Sequence, residues 1–188
     1  MIKKLADARL VEHEPYRGAE LTPAGRRIAV ETIRHHRLVE TYLHQALGVP
    51  WDRLHDEAER WEHVLSEDLE ARMDAALGHP AYDPHGAPIP TPDLELAEPD
   101  WLPLARMEAG QAAIVAEVTD EDAALLRYVG SLGLYPGTPF TVVGGPPYDG
   151  GPVTVRLLGG PAEGAEHSVG ERAAAHVFVR DVHGAGVG

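Results

Sequence analysis

The chain has 188 residues and 44% apolar content, enough for one domain of ordinary size or two small ones. It has no cysteine, which removes disulfide frameworks and thiolate metal sites, and no apolar run approaches the roughly 18 residues that span a bilayer. The formal net charge of -14 excludes a general nucleic-acid binder, because affinity for phosphate backbones comes from neutralising cations.

The acidity is unevenly spread. Residues 1–30 carry six Lys or Arg against four Asp or Glu, so only the amino-terminal piece can face DNA. The first residues, Met1 to Ala8, are too polar for a secretory signal, and a cytoplasmic location is expected. They read as the end of a helix, with Ile2 and Leu5 on one side and Lys3 and Lys4 on the other. Leu10 to His13 and Glu20 to Thr22 flank the turn-forming Pro15-Tyr16-Arg17-Gly18, which predicts a small hairpin. Thr22 caps a new helix with Pro23 at its first position, running to about Gly48. Asp52 opens another, through about Leu77, ended by Gly78 and Pro80.

From His79 to Pro103 the composition changes to seven prolines, five acids and no Lys or Arg, the pattern of an extended connector. Beyond it the period switches. Ala112 to Val118 reads as a strand, Asp120 to Leu132 as a helix, and Phe140–Val143, Val153–Leu158 and Val177–Val182 as strands between Gly/Pro turns. Several short strands and one helix in so short a stretch predict a small barrel. His183 to Gly188 read as a frayed end.

Two helical segments carry the chemistry. At about 100° per residue, His55, Glu59, Glu62 and His63 share one stripe, while His36 and Glu40 stand one turn apart. Isolated His/Glu pairs at this spacing are common on solvated helix surfaces. Four such groups on one stripe are different, because converging carboxylates repel one another unless a cation joins them. A metallohydrolase is disfavoured: His55 and His63 are spaced i,i+8 rather than as His-Glu-x-x-His, and no nucleophile motif accompanies them. The chain is therefore not expected to be an enzyme.

The runs Leu21-Thr22-Pro23-Ala24-Gly25-Arg26, His35-His36-Arg37-Leu38-Val39-Glu40, His55 to Ser66 and Pro84-His85-Gly86-Ala87-Pro88-Ile89-Pro90, in this order and spacing, resemble the diphtheria toxin repressor family of iron- and manganese-dependent transcription regulators. Leu125 to Gly137 resembles that family's carboxy-terminal SH3-like domain, also found in small iron-transport proteins. The resemblance implies an α+β chain in four parts: a partial winged helix (1–24), a helical dimerisation and metal-binding domain (25–78), a Pro-rich acidic linker (79–105) and an SH3-like domain (106–183). Carried over by position, His36, Glu40 and His55 match an ancillary metal site. Glu117 and Asp120 are its candidate ligands from the SH3-like domain, with Glu121 as competitor. Glu59, Glu62 and His63 match the primary, activating site.

The iron-responsive branch of the family has a cysteine where this chain has Glu59, whereas the manganese-responsive branch has a carboxylate. The resemblance thus implies Mn²⁺, with Fe²⁺, Co²⁺ or Zn²⁺ as competing ions, and a harder oxygen donor agrees in direction. A homodimer and operator DNA are the implied partners, with Lys3, Lys4 and Arg17 as DNA-contacting candidates. Counting back from Thr22-Pro23, Met1 falls inside the recognition helix, so the front of the DNA-binding domain is expected to be missing. A recognition helix reads bases with its amino-terminal residues; DNA binding is therefore expected to be weak and metal binding to survive better. The alternative is a metal-binding dimer without DNA-binding activity.

Overall fold

Helix α1 (Ile2–Asp7) leads into an antiparallel hairpin of β1 (Val11–Glu14) and β2 (Gly18–Leu21). The computed structural model describes residues 2–14, 18–119, 122–145 and 151–184. Thr22 leaves the hairpin as the expected N-cap: its Oγ1 accepts from the amide of Gly25 at 3.1 Å and donates to the carbonyl of Arg9 at 2.8 Å. One side chain thus ties the hairpin to the start of α2 (Pro23–Leu47) and satisfies one of the helix's open amides. Gly48, in the left-handed conformation, closes α2 with its amide on the carbonyls of His44 and Leu43.

The single long helix expected from Asp52 to Leu77 is broken. A 3-10 turn at Trp51–Arg53 precedes α3 (Leu54–Trp61), and α4 (Glu67–Ala76) starts afresh. The physical reason lies in Ser66, whose hydroxyl accepts from the amide of Leu69, followed by Glu67, Asp68 and Glu70 in the first turn. A capping side chain and acids at a new positive helix end favour a restart over continuation. The break also leaves the Glu62 carbonyl 3.2 Å from Nδ1 of His35.

The Pro-rich stretch is not extended throughout. Residues 83–90 are nearly all buried, whereas most of 91–100 is exposed. Asp83 organises this loop, its Oδ1 accepting from the amides of His85 and Ala87 at 2.8 and 3.0 Å. Two arginines of α2 clasp it from below: Arg34 donates to the carbonyl of Pro90 at 2.6 Å, and Arg37 donates to that of Pro88. Arg34 is itself buried, held by Glu70 at 2.5 Å and Asp74 at 3.2 Å on α4. The prolines that suggest a spacer instead fix a tight loop without needing ladder donors.

The carboxy-terminal part is an antiparallel six-stranded sheet in the order β3-β8-β4-β5-β6-β7. Its members are β3 (Leu102–Pro103), β4 (Ala112–Val118), β5 (Pro139–Gly144), β6 (Val153–Leu157), β7 (Glu166–Val169) and β8 (Val177–His183), with helices α5 (Ala123–Ser131) and α6 (Glu171–Ala174). Irregular registers between β4 and β8 and between β5 and β6 bend it. Val115, Val118, Phe140, Val155, Val177 and Val179 bury one face together with Leu126 and Val129 of α5. Strands β3 and β7 and helix α6 escape the sequence reading because each is too short to show a period.

The two parts share a seam. The ring of Trp51 lies 4.8 Å from that of Tyr135, Arg127 pairs with Asp52 at 3.1 Å, and the amide of Val118 donates to the carbonyl of His85 at 2.9 Å. Gly86 is where the loop meets β4: a Cβ there would lie 1.9 Å from the Ala116 carbonyl oxygen, and its φ is +92°. Gly86→Ala is therefore expected to destabilise the protein by about 3 kcal/mol or more, from clash and left-handed strain together. Urea unfolding measures it; a loss below about 1 kcal/mol would contradict the seating of this loop on β4.

Candidate metal centre

Helix α2 carries His36 and Glu40 one turn apart on a face turned toward α3. Nδ1 of His36 stands 2.5 Å from Oε2 of Glu62, and Nε2 stands 3.3 Å from Oε1 of Glu40. His55, on the first turn of α3, brings its ring centroid to 4.9 Å from that of His36. Ligand atoms of His36, Glu40 and His55 all lie within 4.8 Å of one another. Beside them opens a cavity of about 310 Å³ lined by Thr32, Ile33, His36, Arg37, His55, Glu59 and Glu62.

Glu40 is completely buried, with 0% exposure, and its other oxygen faces a second group. Oε2 lies 3.6 Å from Nδ1 of His85, and Glu40, Asp83 and His85 form another set of ligand atoms within 4.8 Å, all three buried. Nε2 of His85 is 2.8 Å from the carbonyl of Trp51. Oδ2 of Asp83 has no hydrogen-bond partner and lies 3.7 Å from Nε of Arg37.

These partners fix the tautomers. A carbonyl only accepts, so Nε2 of His85 carries a hydrogen; Glu62 as a carboxylate asks the same of Nδ1 of His36. In the neutral rings the lone pairs then sit on Nε2 of His36 and Nδ1 of His85, and both face Glu40. Neither nitrogen and neither Glu40 oxygen makes a hydrogen bond. Lone pairs aimed at a buried carboxylate are reconciled by a cation between them, a proton or a metal ion. Imidazole nitrogen with carboxylate oxygen suits Mn²⁺, Fe²⁺, Co²⁺ or Zn²⁺, so the donors fit a divalent metal. His35 shows the contrast: its two nitrogens meet the Glu62 carbonyl at 3.2 Å and Glu70 at 2.8 Å, which makes it a structural histidine.

The remaining candidates are spread more widely. Glu62 points inward, whereas Glu59 and His63 have side chains 64% and 74% exposed; Oε1 of Glu59 lies 3.8 Å from His55, and Nε2 of His63 lies 3.4 Å from Glu62. Glu117 sits near the end of β4, half-buried, its Cα beside Gly86. Asp120, Glu121 and Arg17 lie outside the described residues. Lys3 and Lys4 are exposed on α1. Asp83 and His85 are further candidate donors that the sequence reading does not assign. Their signal was a titratable Asp-Pro-His-Gly set in an apolar, proline-rich run.

Residues 22–91 match the iron dependent repressor, metal binding and dimerisation domain, and residues 102–181 match the FeoA domain. A solved manganese-dependent transcriptional repressor in complex with manganese superposes with a TM-score of 0.85 at 39% identity, covering 95% of this chain and 80% of that one. The chain belongs to the diphtheria toxin repressor family. The iron-dependent repressor IdeR of Mycobacterium bovis is 36% identical over 155 residues, covering 76% of this chain and 66% of the relative. That of Mycobacterium leprae is 36% identical over 138 residues, 67% of this chain and 60% of the relative. The chain thus spans just under two thirds of the length of these curated relatives. The family is one of transcriptional repressors, not enzymes, and its metal-binding and dimerisation domain is the part that holds α2 to α4 and the buried loop.

Charges act strongly on one another at this candidate centre. Burial alone would raise the Glu40 carboxyl, but the flanking His36 and His85 rings outweigh it and hold it at about 2. Burial alone would lower the two imidazoles, yet Glu40 with Glu62 raises His36 to about 9, and Glu40 with Asp83 raises His85 to about 9. Burial and the Glu40 charge push Asp83 up to about 7. Without metal, protons therefore balance the site near neutrality. The two raised imidazoles contribute stability that is full below pH 6.5 and lost as pH rises through about 9, and the raised Asp83 carboxyl acts in the same direction as it ionises near pH 7. The metal-free melting temperature is expected to fall between pH 6.5 and 9. Because metal binding requires these protons to leave, the stabilisation by Mn²⁺ should grow over the same range. Thermal melts in chelator and in Mn²⁺ across that range check both; a metal effect independent of pH would contradict this balance.

Proposed function

We propose that this chain is the metal-sensing and dimerising part of a manganese-responsive transcriptional repressor. The observation that supports it is the convergence of imidazole nitrogens of His36 and His55 on the buried Glu40 carboxylate, their ligand atoms all within 4.8 Å of one another. His36, Glu40 and His55 hold one divalent ion on this reading. Glu62, aimed into the adjacent cavity, with the exposed Glu59 and His63, contributes to a second locus at the protein surface, and Glu117 with Asp120 are the donors offered by the SH3-like part. The ion supplies charge that ties α2, α3 and the buried loop together. The residues themselves orient one another: Glu62 sets the tautomer of His36, and the Trp51 carbonyl sets that of His85.

Two features support Mn²⁺ on this reading. The chain has no thiolate, the donor that would favour softer ions, and solved relatives include manganese-dependent repressors. Others were solved with Cd²⁺ or Zn²⁺ bound, so selectivity on this reading rests on geometry and supply rather than raw affinity. The homodimer forms through the helical part. Leu38 and Leu43 are spent in the chain's own core, but Leu47, Trp61, Val64 and Leu69 are exposed and available to a second copy. Where a complete helix-turn-helix is joined to this part, operator DNA is the partner, with Lys3, Lys4 and Arg17 as the candidate phosphate contacts. The cytoplasm is the compartment that such a regulator implies.

Sedimentation should give twice the 20.3 kDa chain mass at micromolar concentration, and a monomer with and without metal would overturn the dimer. Mn²⁺ at a hundred times its dissociation constant should raise the melting temperature by about 5–10 °C. His36→Ala combined with Glu40→Ala should abolish most of that rise; an unchanged rise would place the ion elsewhere.

A further inference from the structure

At the seam between the helical and sheet parts, a cavity of about 630 Å³ opens beside Trp51 and Tyr135. Trp51 is 9% exposed, and the indole N–H of so buried a tryptophan ordinarily finds an acceptor. Among the described residues it has none, nor does the phenol O–H of Tyr135 donate to any group. The two donors converge. A Cβ on Gly130 would lie 2.9 Å from the Tyr135 Oη and 3.0 Å from the Trp51 Nε1, so an acceptor resting over the bare Cα of Gly130 falls within hydrogen-bond reach of both. A third donor stands one turn back on α5. Arg127 spends one N–H group on Asp52 at 3.1 Å, and the rest of its guanidinium has no partner among the described residues.

We propose that this cavity binds a small organic acid, a carboxylate carried on a flat apolar body. The carboxylate oxygens accept from Trp51 and Tyr135 over Gly130 and from the free edge of Arg127, a planar anion with two acceptor atoms meeting donors from both sides of the seam. The apolar body has a surface of its own. The Trp51 and Tyr135 rings stand 4.8 Å apart and inclined at 53°, and Pro50, Pro84 and Pro136 add apolar lining without further N–H donors. Asp52 is the one acid in the lining and opposes an anion, but its carboxylate already faces Arg127 and its side chain is only 15% exposed, so its charge is met before a ligand arrives. The volume suits a ligand of one or two rings. An occupant touches Trp51 ahead of α3, Pro84 of the buried loop and Tyr135 beyond α5, and so fastens the helical part to the sheet. The site is separate from His36, Glu40 and His55, and its occupancy is independent of the metal reading.

The test uses the full 188-residue chain in chelator, so that a probe acid meets no bound metal, with cinnamate as the probe. The chain has three tryptophans and hence three indole N–H resonances in its heteronuclear NMR spectrum; Trp61→Phe and Trp101→Phe assign that of Trp51 by elimination. Cinnamate should move the Trp51 indole resonance downfield and saturably, with a dissociation constant of about 5 mM or tighter, and leave the other two in place. Tyr135→Phe and Arg127→Gln should each weaken binding about tenfold, the worth of one hydrogen bond to a charged group. Both side chains are largely exposed, and melts matched to the starting chain establish that the fold is retained. Cinnamylamine, a cation on the same body, should bind at least about tenfold more weakly than cinnamate. The proposal is overturned by the absence of a saturable shift at Trp51, by equal shifts at all three indoles, by an amine that binds as well as the acid, or by unchanged affinity in both variants.

Discussion

Glu40 is a charged carboxylate with no solvent exposure, lodged in the middle of α2 among residues that form the apolar core. Moving such a group out of water costs several kcal/mol unless compensating charge surrounds it. The compensation comes from two different places in the chain: His36 from the same helix and His85 from the loop after α4. Both must be brought to Glu40 for it to stay ionised, so one buried charge constrains how the loop packs on α2. Replacing Glu40 by an apolar residue would relieve that demand, but it would leave the imidazoles with nothing to converge on. The arrangement makes sense as a binding site that the fold maintains at some expense of stability.

The loop over residues 81–90 is the element most shaped by this demand. It has no helix and only one isolated bridge, between Tyr82 and Pro88, yet it is buried, because Asp83 supplies its internal capping and Arg34 and Arg37 saturate its carbonyls. His85 then has partners on three sides: Glu40 of α2, the Trp51 carbonyl before α3, and Val118 of β4 through its own backbone carbonyl. The Trp51 ring continues the contact to Tyr135, with Gly130 leaving room for the indole: a Cβ there would come within 3.0 Å of its Nε1. The helical and sheet parts thus meet through the same residues that surround Glu40. An ion that orders the loop acts on a surface shared with the sheet.

What the sequence disclosed divides along physical lines. The hairpin, the Thr22 cap, α2 with its Gly48 end, and the longer strands of the sheet announce themselves through caps, turn residues and period, all of which are local. The break at residues 62–66 was legible in principle, since Ser66 followed by acids is a start signal, but the apolar spacing across it masked the restart. His36, Glu40 and His55 were assigned from a family pattern, and the structure brings them together. Asp83 and His85 lay hidden for a different reason: they sit in a proline-rich run whose composition reads as a spacer, and their roles come from contacts 45 residues away on α2 that no local rule encodes.

The donor chemistry bears on how such a centre would discriminate among ions. Along the divalent first-row series Mn²⁺ is the weakest binder at a given nitrogen and oxygen site, so a regulator tuned to it must withhold what its competitors prefer. Thiolates, which favour Zn²⁺ and Cu⁺, are absent from the whole chain. His36 and His85 are each held by a partner on the far nitrogen, so neither ring turns to suit a smaller ion or a tetrahedral geometry without breaking that bond. Zn²⁺ prefers four close donors in that geometry, whereas a mixed imidazole and carboxylate set completed by water also accommodates a larger ion of higher coordination number. On the manganese reading proposed above, the bonds from Glu62 to His36 and from the Trp51 carbonyl to His85 would act as a means of selection, because an ion that required either ring to turn would have to break them.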